Sequence, residues 1–400
     1  MRTHASPVLF GAFDRHNCGD LLFPHLLAAL LPGRRFVCAG LAARDLRRFG
    51  GHRVVPLAAG VAHLVHAGGE LLTCTAWQAA VMLQPPAAAA ECVARYDADP
   101  AAAAAWAARI LGTARAIPYV AGRDMLAPGG RLIFNAVGGV EWGALTEGQR
   151  AEVKAALRDA DWLSVRDRVT QAALIAEGID APLCPDPAVM LAVCFGDAIR
   201  AHAQGDALHA VRAAFPQGWL ACQFSADFAD DASLDALALG LGEAAATTGL
   251  GIVLFRAGAA PWHDDPVLYD KLRRRLPAGR ARLFPSLQLW DLCALVAASR
   301  GVVASSLHAR LAALAFALPR VSLALPQQGG RPGKVAAFAD TWEPDSQPRG
   351  VEPGRIGPAV RLALGTPVDV LADNAADLRR RYRDSLAQWA GLLPGAPLAQ

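Results

Sequence analysis

The chain has 400 residues, 54% hydrophobic and 19% charged, a composition that can bury large cores and argues against disorder. Lys and Arg number 39 against 36 Asp and Glu, a formal charge of +3 that is too mild to make nucleic acid an expected partner. No run of about 18 uninterrupted apolar residues occurs, so no spanning helix is predicted, and the first residues lack the apolar core of a signal peptide.

In chain order, β-rich and helix-like segments alternate. Residues 8–13 read as a strand, followed by a helix over 20–31 and strands over 35–39, 54–57 and 63–67. Alanine tracts at 87–90 and 101–105 favour a long helical region reaching residue 111. Strands at 117–121 and 132–137, a helix at 149–160, a strand at 162–165 and a helix at 169–177 follow. The second half repeats the pattern, with strands at 219–224, 252–255, 281–284, 302–304 and 321–325. Its helices fall at 234–247, 266–276, 287–298 and 307–318, and a last amphipathic helix at 372–392 closes the chain. Such alternation predicts parallel sheets covered on both faces. The expected fold is α/β, with two Rossmann-like domains facing across a cleft. Expected boundaries are 1–205 for the first domain, 206–366 for the second and 367–400 for a terminal helix that packs back on the first.

The eight cysteines (18, 38, 74, 92, 184, 194, 222 and 293) are dispersed, with no CxxC pair, so neither a zinc site nor a disulfide framework is expected. They read as small buried groups of a protein in a reducing, cytoplasmic compartment. The arginine triplets at 273–275 and 379–381 read as solvated helix faces. There is no GxGxxG and no GxxxxGK[ST], so no dinucleotide fingerprint or P-loop is present.

Chemistry concentrates where predicted strands meet helices, because ligands bind at the carboxyl ends of strands in open parallel sheets. Asn17, Gly19 and Asp20 follow the first strand, and both a helix cap and a ligand contact fit them. Gly68 and Gly69 end another strand, as a positive-φ turn or a close approach of backbone to a ligand. Arg166 closes the strand 162–165, where it can clamp an anion or pair with a local carboxylate. Asp186 is held between Pro185 and Pro187, as a stiff cleft-edge group or a plain turn. Ser305, Ser306 and His308 open a helix directly after a strand. Unpaired helix N–H groups there suit an anion, and a histidine beside it can move protons near neutral pH.

These pieces resemble the polysaccharide pyruvyl transferase family in order and spacing. The resemblance runs from Asn17 to Lys334 and rests on NCGD at 17–20, the diglycine at 68–69, SVRD at 164–167, PDPA at 185–188, SSLHARLAALAFALPRVSL at 305–323, and Gly333-Lys334-Val335. It implies a GT-B-type fold and transfer of the enolpyruvyl unit of phosphoenolpyruvate to a saccharide as a cyclic ketal, with loss of phosphate. The family's SVRD arginine falls on Arg166, its histidine on His308 and its late lysine on Lys334. The chain departs from the family at Ser306, where an arginine is usual, and at Ala67, where the glycine run begins. Arg310, one helical turn after Ser306, is a candidate replacement for the missing cation.

The resemblance therefore implies phosphoenolpyruvate as co-substrate, no metal or other cofactor, a saccharide acceptor, and work beside a membrane-bound glycan pathway without a membrane span. His308 and Arg166 stand as catalytic candidates. Ser305, Ser306, Arg310 and Lys334 fall on the donor side, and Asn17, Gly19, Asp20, Gly68, Gly69 and Asp186 on the acceptor side or cleft. A GT-B glycosyltransferase using a nucleotide-sugar, and a carbohydrate-binding relative without activity, remain the alternatives.

Overall fold

A computed structural model describes residues 6–325 and 333–394. Its contacts divide the chain into two units, Met1–Pro187 with Arg380–Gln400, and Ala188–Arg379.

The first unit is built on a seven-stranded sheet. Its strands are β1 (Val8–Phe10), β2 (Val37–Gly40), β3 (Arg44–Asp45), β4 (Arg53–Pro56), β5 (Val61–His66), β6 (Leu126–Val137) and β7 (Trp162–Val165), in the order β3-β4-β2-β1-β5-β6-β7. Every pair is parallel except β3–β4. The order reverses direction between β1 and β5, which makes the crevice at their carboxyl ends the natural ligand position. Helices α1 (Cys18–Leu30), α2 (Ala76–Met82), α3 (Pro86–Tyr96), α4 (Pro100–Leu111), α5 (Glu147–Arg158) and α6 (Arg168–Ala176) belong to this unit. Its core runs through Phe10, Leu64, Tyr119, Phe134 and Val165, all at most 1% exposed.

The second unit holds a five-stranded, wholly parallel sheet. Its strands are β8 (Trp219–Gln223), β9 (Gly251–Leu254), β10 (Ala281–Leu283), β11 (Gly301–Ala304) and β12 (Arg320–Ser322), in the order β10-β9-β8-β11-β12. Its switch point lies between β8 and β11, whose residues are all buried, as apolar strands covered on both faces must be. Around it lie α7 (Leu191–His202), α8 (Asp206–Ala214), α9 (Asp231–Thr248), α10 (Pro266–Arg275), α11 (Leu289–Ala297), α12 (Leu307–Ala315), α13 (Lys334–Trp342) and α14 (Ile356–Leu364). A last helix, α15 (Val368–Ala390), starts here, and its residues from Arg380 group with the first unit.

Three expectations need correction. The alanine-rich region is three helices and not one, because Pro86 and Pro100 each sit at a first helical position, where a missing N–H costs nothing, and so restart the helix. Residues 117–121 form no strand. Pro118 lacks an N–H, and side chains fix this buried segment instead: Tyr119 donates its hydroxyl to Asp14, and Ala121 donates its amide to His66 Nε2. His66 lies stacked on Phe134, and burial pushes it down to about 3, so it is a neutral structural acceptor. The division of the chain falls at 187/188 and not at 205/206, because α7 packs on α11 through Phe195 on Trp290 and His202 on Asp291.

The second unit also buries three charges together. Glu343 accepts from Arg310 and Arg320, and all three side chains are 0% exposed. Burial pushes the Glu343 carboxyl up, but the two guanidiniums outweigh it and hold the group below its usual range. Replacing Glu343 with alanine leaves two buried cations without their counter-charge and should cost about 3–5 kcal/mol. Urea denaturation checks this, and a loss below about 1 kcal/mol would mean that the triad relaxes into water.

Candidate functional site

In the first unit, the loops after β1, β5, β6 and β7 carry the polar groups. Asn17 caps α1, its side chain accepting from Gly19 N at 3.1 Å, so capping is one of its roles. Asp20 lies in the first turn, and Arg15 Nη2 stands 3.8 Å from its carboxylate. Gly68 and Gly69 take φ of +122° and +97°, in the region that favours glycine. A Cβ on Gly69 would also lie 3.4 Å from Asp20 Oδ1, and one on Gly68 3.1 Å from the Phe23 ring. The turn reading therefore holds, and the diglycine also draws the backbone after β5 against the start of α1.

Arg166 is 1% exposed, with Nη2 2.6 Å from Glu70 and Nη1 2.9 Å from Asp186. Asp186 is fully buried and is an internal counter-ion, not a group at an edge. Asp167 caps α6 by accepting from Thr170 N. Burial disfavours charge on Arg166, but Glu70, Asp186 and Asp167 outweigh it and hold the guanidinium more firmly protonated than usual. Glu70 reaches the surface, at 22% side-chain exposure, and also accepts from Val140 N. Arg166 is thus buried between Asp186 and Glu70 and braces Glu70 from within.

Three further groups sit beside this region. Asp14 accepts from Tyr119 OH and from the amides of Leu41 and Ala42, and burial pushes its carboxyl up. The Arg15 guanidinium lies 5.5 Å from the Tyr119 ring centre. Asp14, Arg15 and Tyr119 were not singled out from sequence: 105 residues separate Asp14 from its hydrogen-bond partner, and no local pattern records that contact.

In the second unit the switch point is organised by Gln223, at the end of β8. Its Oε1 accepts from Ser306 N at 2.8 Å and its Nε2 donates to Asp264 at 2.7 Å. Ser305 Oγ accepts from Ser225 N, and Ser306 caps α12 by accepting from Ala309 N. His308 follows in the first turn of α12 and is buried, at 9% exposure. Burial pushes Asp264 up to about 7, against the Gln223 amide and the Ala257 and Gly258 N–H groups, which favour its ionised form. Gln223 and Asp264 were also missed by sequence reading, since an isolated glutamine or aspartate at a strand end has no distinguishing spacing.

Arg310 does not replace the missing cation. Its five N–H donors go to Glu343 (twice), Ser322 Oγ, Pro348 O and Gln347 O, and the residue is 0% exposed. The reason is geometric: the face of α12 that carries it packs inward, against β12 and the segment after α13. Lys334 is exposed at the first position of α13, where Gly333 is the cap. Among the described residues, no group of three or more His, Cys, Asp or Glu is placed to hold a metal ion.

The family model for polysaccharide pyruvyl transferases matches residues 126–325, which is 200 of the 400 positions. No curated protein matches the chain. Among solved structures, S. aureus MnaA with UDP aligns over 98% of this chain and 99% of its own, at 10% identity and a TM-score of 0.53. The UDP-GlcNAc 2-epimerase of Methanocaldococcus jannaschii, in complex with UDP-GlcNAc and UDP, aligns over 94% and 98%, at 11% identity and a TM-score of 0.50. The UDP-N-acetylglucosamine 2-epimerase from Rickettsia bellii aligns over 96% and 99%, at 12% identity and a TM-score of 0.50. At these identities the likeness is one of fold, an α/β architecture of GT-B type with two Rossmann-like units.

The Arg166–Glu70 pair depends on Gly138, because a Cβ there would lie 2.5 Å from Glu70 Oε2 and 2.7 Å from Arg166 Nε. Gly138→Ala should therefore cost about 1–3 kcal/mol and turn Glu70 away from its position. A denaturation midpoint equal to that of the wild type would show that the pair has room to move.

Proposed function

Because the chain belongs to the polysaccharide pyruvyl transferase family, we propose that it transfers the pyruvyl group of phosphoenolpyruvate to a saccharide as a ketal, with loss of phosphate. The observation that carries this reading is His308, in the first turn of a helix that starts at the switch point of the second sheet. A proton donor there delivers H⁺ to the methylene carbon of the enol phosphate while one sugar hydroxyl adds to the neighbouring carbon and gives its proton to a base. A second hydroxyl then displaces phosphate at that carbon, and its proton leaves to a base. His308 fits either proton-transfer role, since an imidazole can both give and take a proton.

The other candidates follow from where they lie. Lys334 and the opening turn of α12 support an anionic donor, one through an exposed ammonium and the other through the positive end of the helix. Ser305 and Ser306 hold that turn in place. Asn17, Asp20, Gly68 and Gly69 support the saccharide on the first unit, with Arg166 and Asp186 acting behind Glu70. The eight cysteines are all free, and among the described residues no helix is long and apolar enough to cross a membrane.

One observation favours a second reading. With Ser306 in place of the family arginine and every donor of Arg310 spent, fewer cations serve the phosphate, which suits a carbohydrate-binding relative without transfer activity. Turnover separates the two. Phosphate release from phosphoenolpyruvate in the presence of a saccharide acceptor should fall by about 10²–10⁴-fold in His308→Gln, with an unchanged unfolding midpoint. Equal rates in variant and wild type would remove His308 from the chemistry, and no release from either would favour the binding protein.

A further inference from the structure

The loop from β9 to α10 carries a residue that folding alone does not explain. Trp262 has φ +64° and is 45% exposed. A bulky side chain in left-handed backbone is a steric outlier that Gly or Asn avoids, and an exposed ring recovers little of that cost by burial.

The loop around it is braced on both sides. Asp264 accepts from the amides of Ala257 and Gly258, donates its own amide to Gly258 O, and accepts from Gln223. His263 donates its amide to Ala260 O and accepts from Ala226 N. A Cβ on Gly258 would lie 2.8 Å from the His263 ring, so the loop closes tightly on itself. These bonds brace the chain on both sides of the tip that carries Trp262. Through Gln223 the same loop is tied to Ser306, the cap of the helix that carries His308. The strained aromatic therefore stands on a rigid mount at the carboxyl end of β9, the end of the sheet where ligands bind.

We propose that Trp262 is a stacking platform for a pyranose ring of the saccharide acceptor. The amides of Ala257, Gly258, His263 and Asp264 are bonded within the loop, and the exposed indole of Trp262 offers a ligand a flat, electron-rich face. A sugar ring matches that, because its axial C–H bonds present weakly positive hydrogens to an aromatic face. A nucleobase also stacks on an aromatic ring, and the UDP arm of the test separates the two. The platform rests on the pyruvyl transfer reading for the identity of the ligand as an acceptor. Its geometry does not.

The test follows the indole N–H resonance of Trp262, assigned by its loss in Trp262→Phe, during titration with methyl β-D-galactopyranoside, methyl β-D-glucopyranoside and UDP. At least one glycoside should shift that resonance to saturation, and UDP should not. Trp262→Asn, which suits left-handed backbone and lacks a ring, should bind that glycoside about three- to tenfold more weakly while melting at or above the wild-type temperature. Trp262→Phe should keep most of the binding. Glycosides that leave the indole unmoved or bind Trp262→Asn as tightly, a response to UDP alone, or a clearly lower melting temperature for Trp262→Asn would each overturn the proposal. Phosphoenolpyruvate affinity, measured on the same samples, separates the two claims. Glycoside stacking without phosphoenolpyruvate binding sinks the transferase reading alone, and the reverse sinks the platform alone.

Discussion

The side-chain amide of Gln223 uses both of its ends, and the second unit's ligand end is arranged around that fact. Its oxygen accepts the N–H of Ser306 and its nitrogen donates to Asp264. One bond sets where α12 begins and so where His308 stands; the other fixes the loop after β9 that presents Trp262. A buried amide cannot leave either end unpaired without losing a hydrogen bond's worth of desolvation, so the two strand ends are locked as one piece. This rigidity places His308 and the Trp262 ring on the same mount.

Charge behaves alike in both units. Arg166 and Arg310, the arginines that sequence offered to anions, are turned inward with Arg320 and matched to carboxylates. A buried guanidinium has little choice, since leaving it unpaired costs far more than any surface salt bridge returns. The consequence for function is a short supply of cations. The proposed donor position is left with Lys334 and a helix N-terminus, while Arg166 holds Glu70 at the surface of the first unit.

Much of the fold was legible because parallel strands buried on both faces read as short apolar runs and the helices between them carry recognisable caps. The strand over 162–165 and the helix start at Leu307 appear where sequence placed them. The failures have equally local causes. Proline restarts the alanine-rich helix twice, and residues 117–121 are apolar enough for a strand but are held by Asp14 and His66 from distant parts of the chain. For the site, motif positions that double as caps were visible: Asn17, Asp167 and Ser306 all cap helices. Partnerships across about a hundred residues, such as Glu70 with Arg166, leave no trace in spacing, and the direction in which Arg310 points depends on Glu343, 33 residues on. Trp262 was invisible because a backbone angle, and not a composition, sets it apart.

The central claim is that the second unit receives phosphoenolpyruvate, and calorimetric titration of that compound tests it most directly. The account predicts saturable binding by the intact chain and weakened binding by Lys334→Ala, whose exposed ammonium is lost while the buried arginine pairs stay in place. Absence of phosphoenolpyruvate binding by the wild-type chain, under conditions where glycosides still bind, would contradict the transferase account and leave a carbohydrate-binding protein.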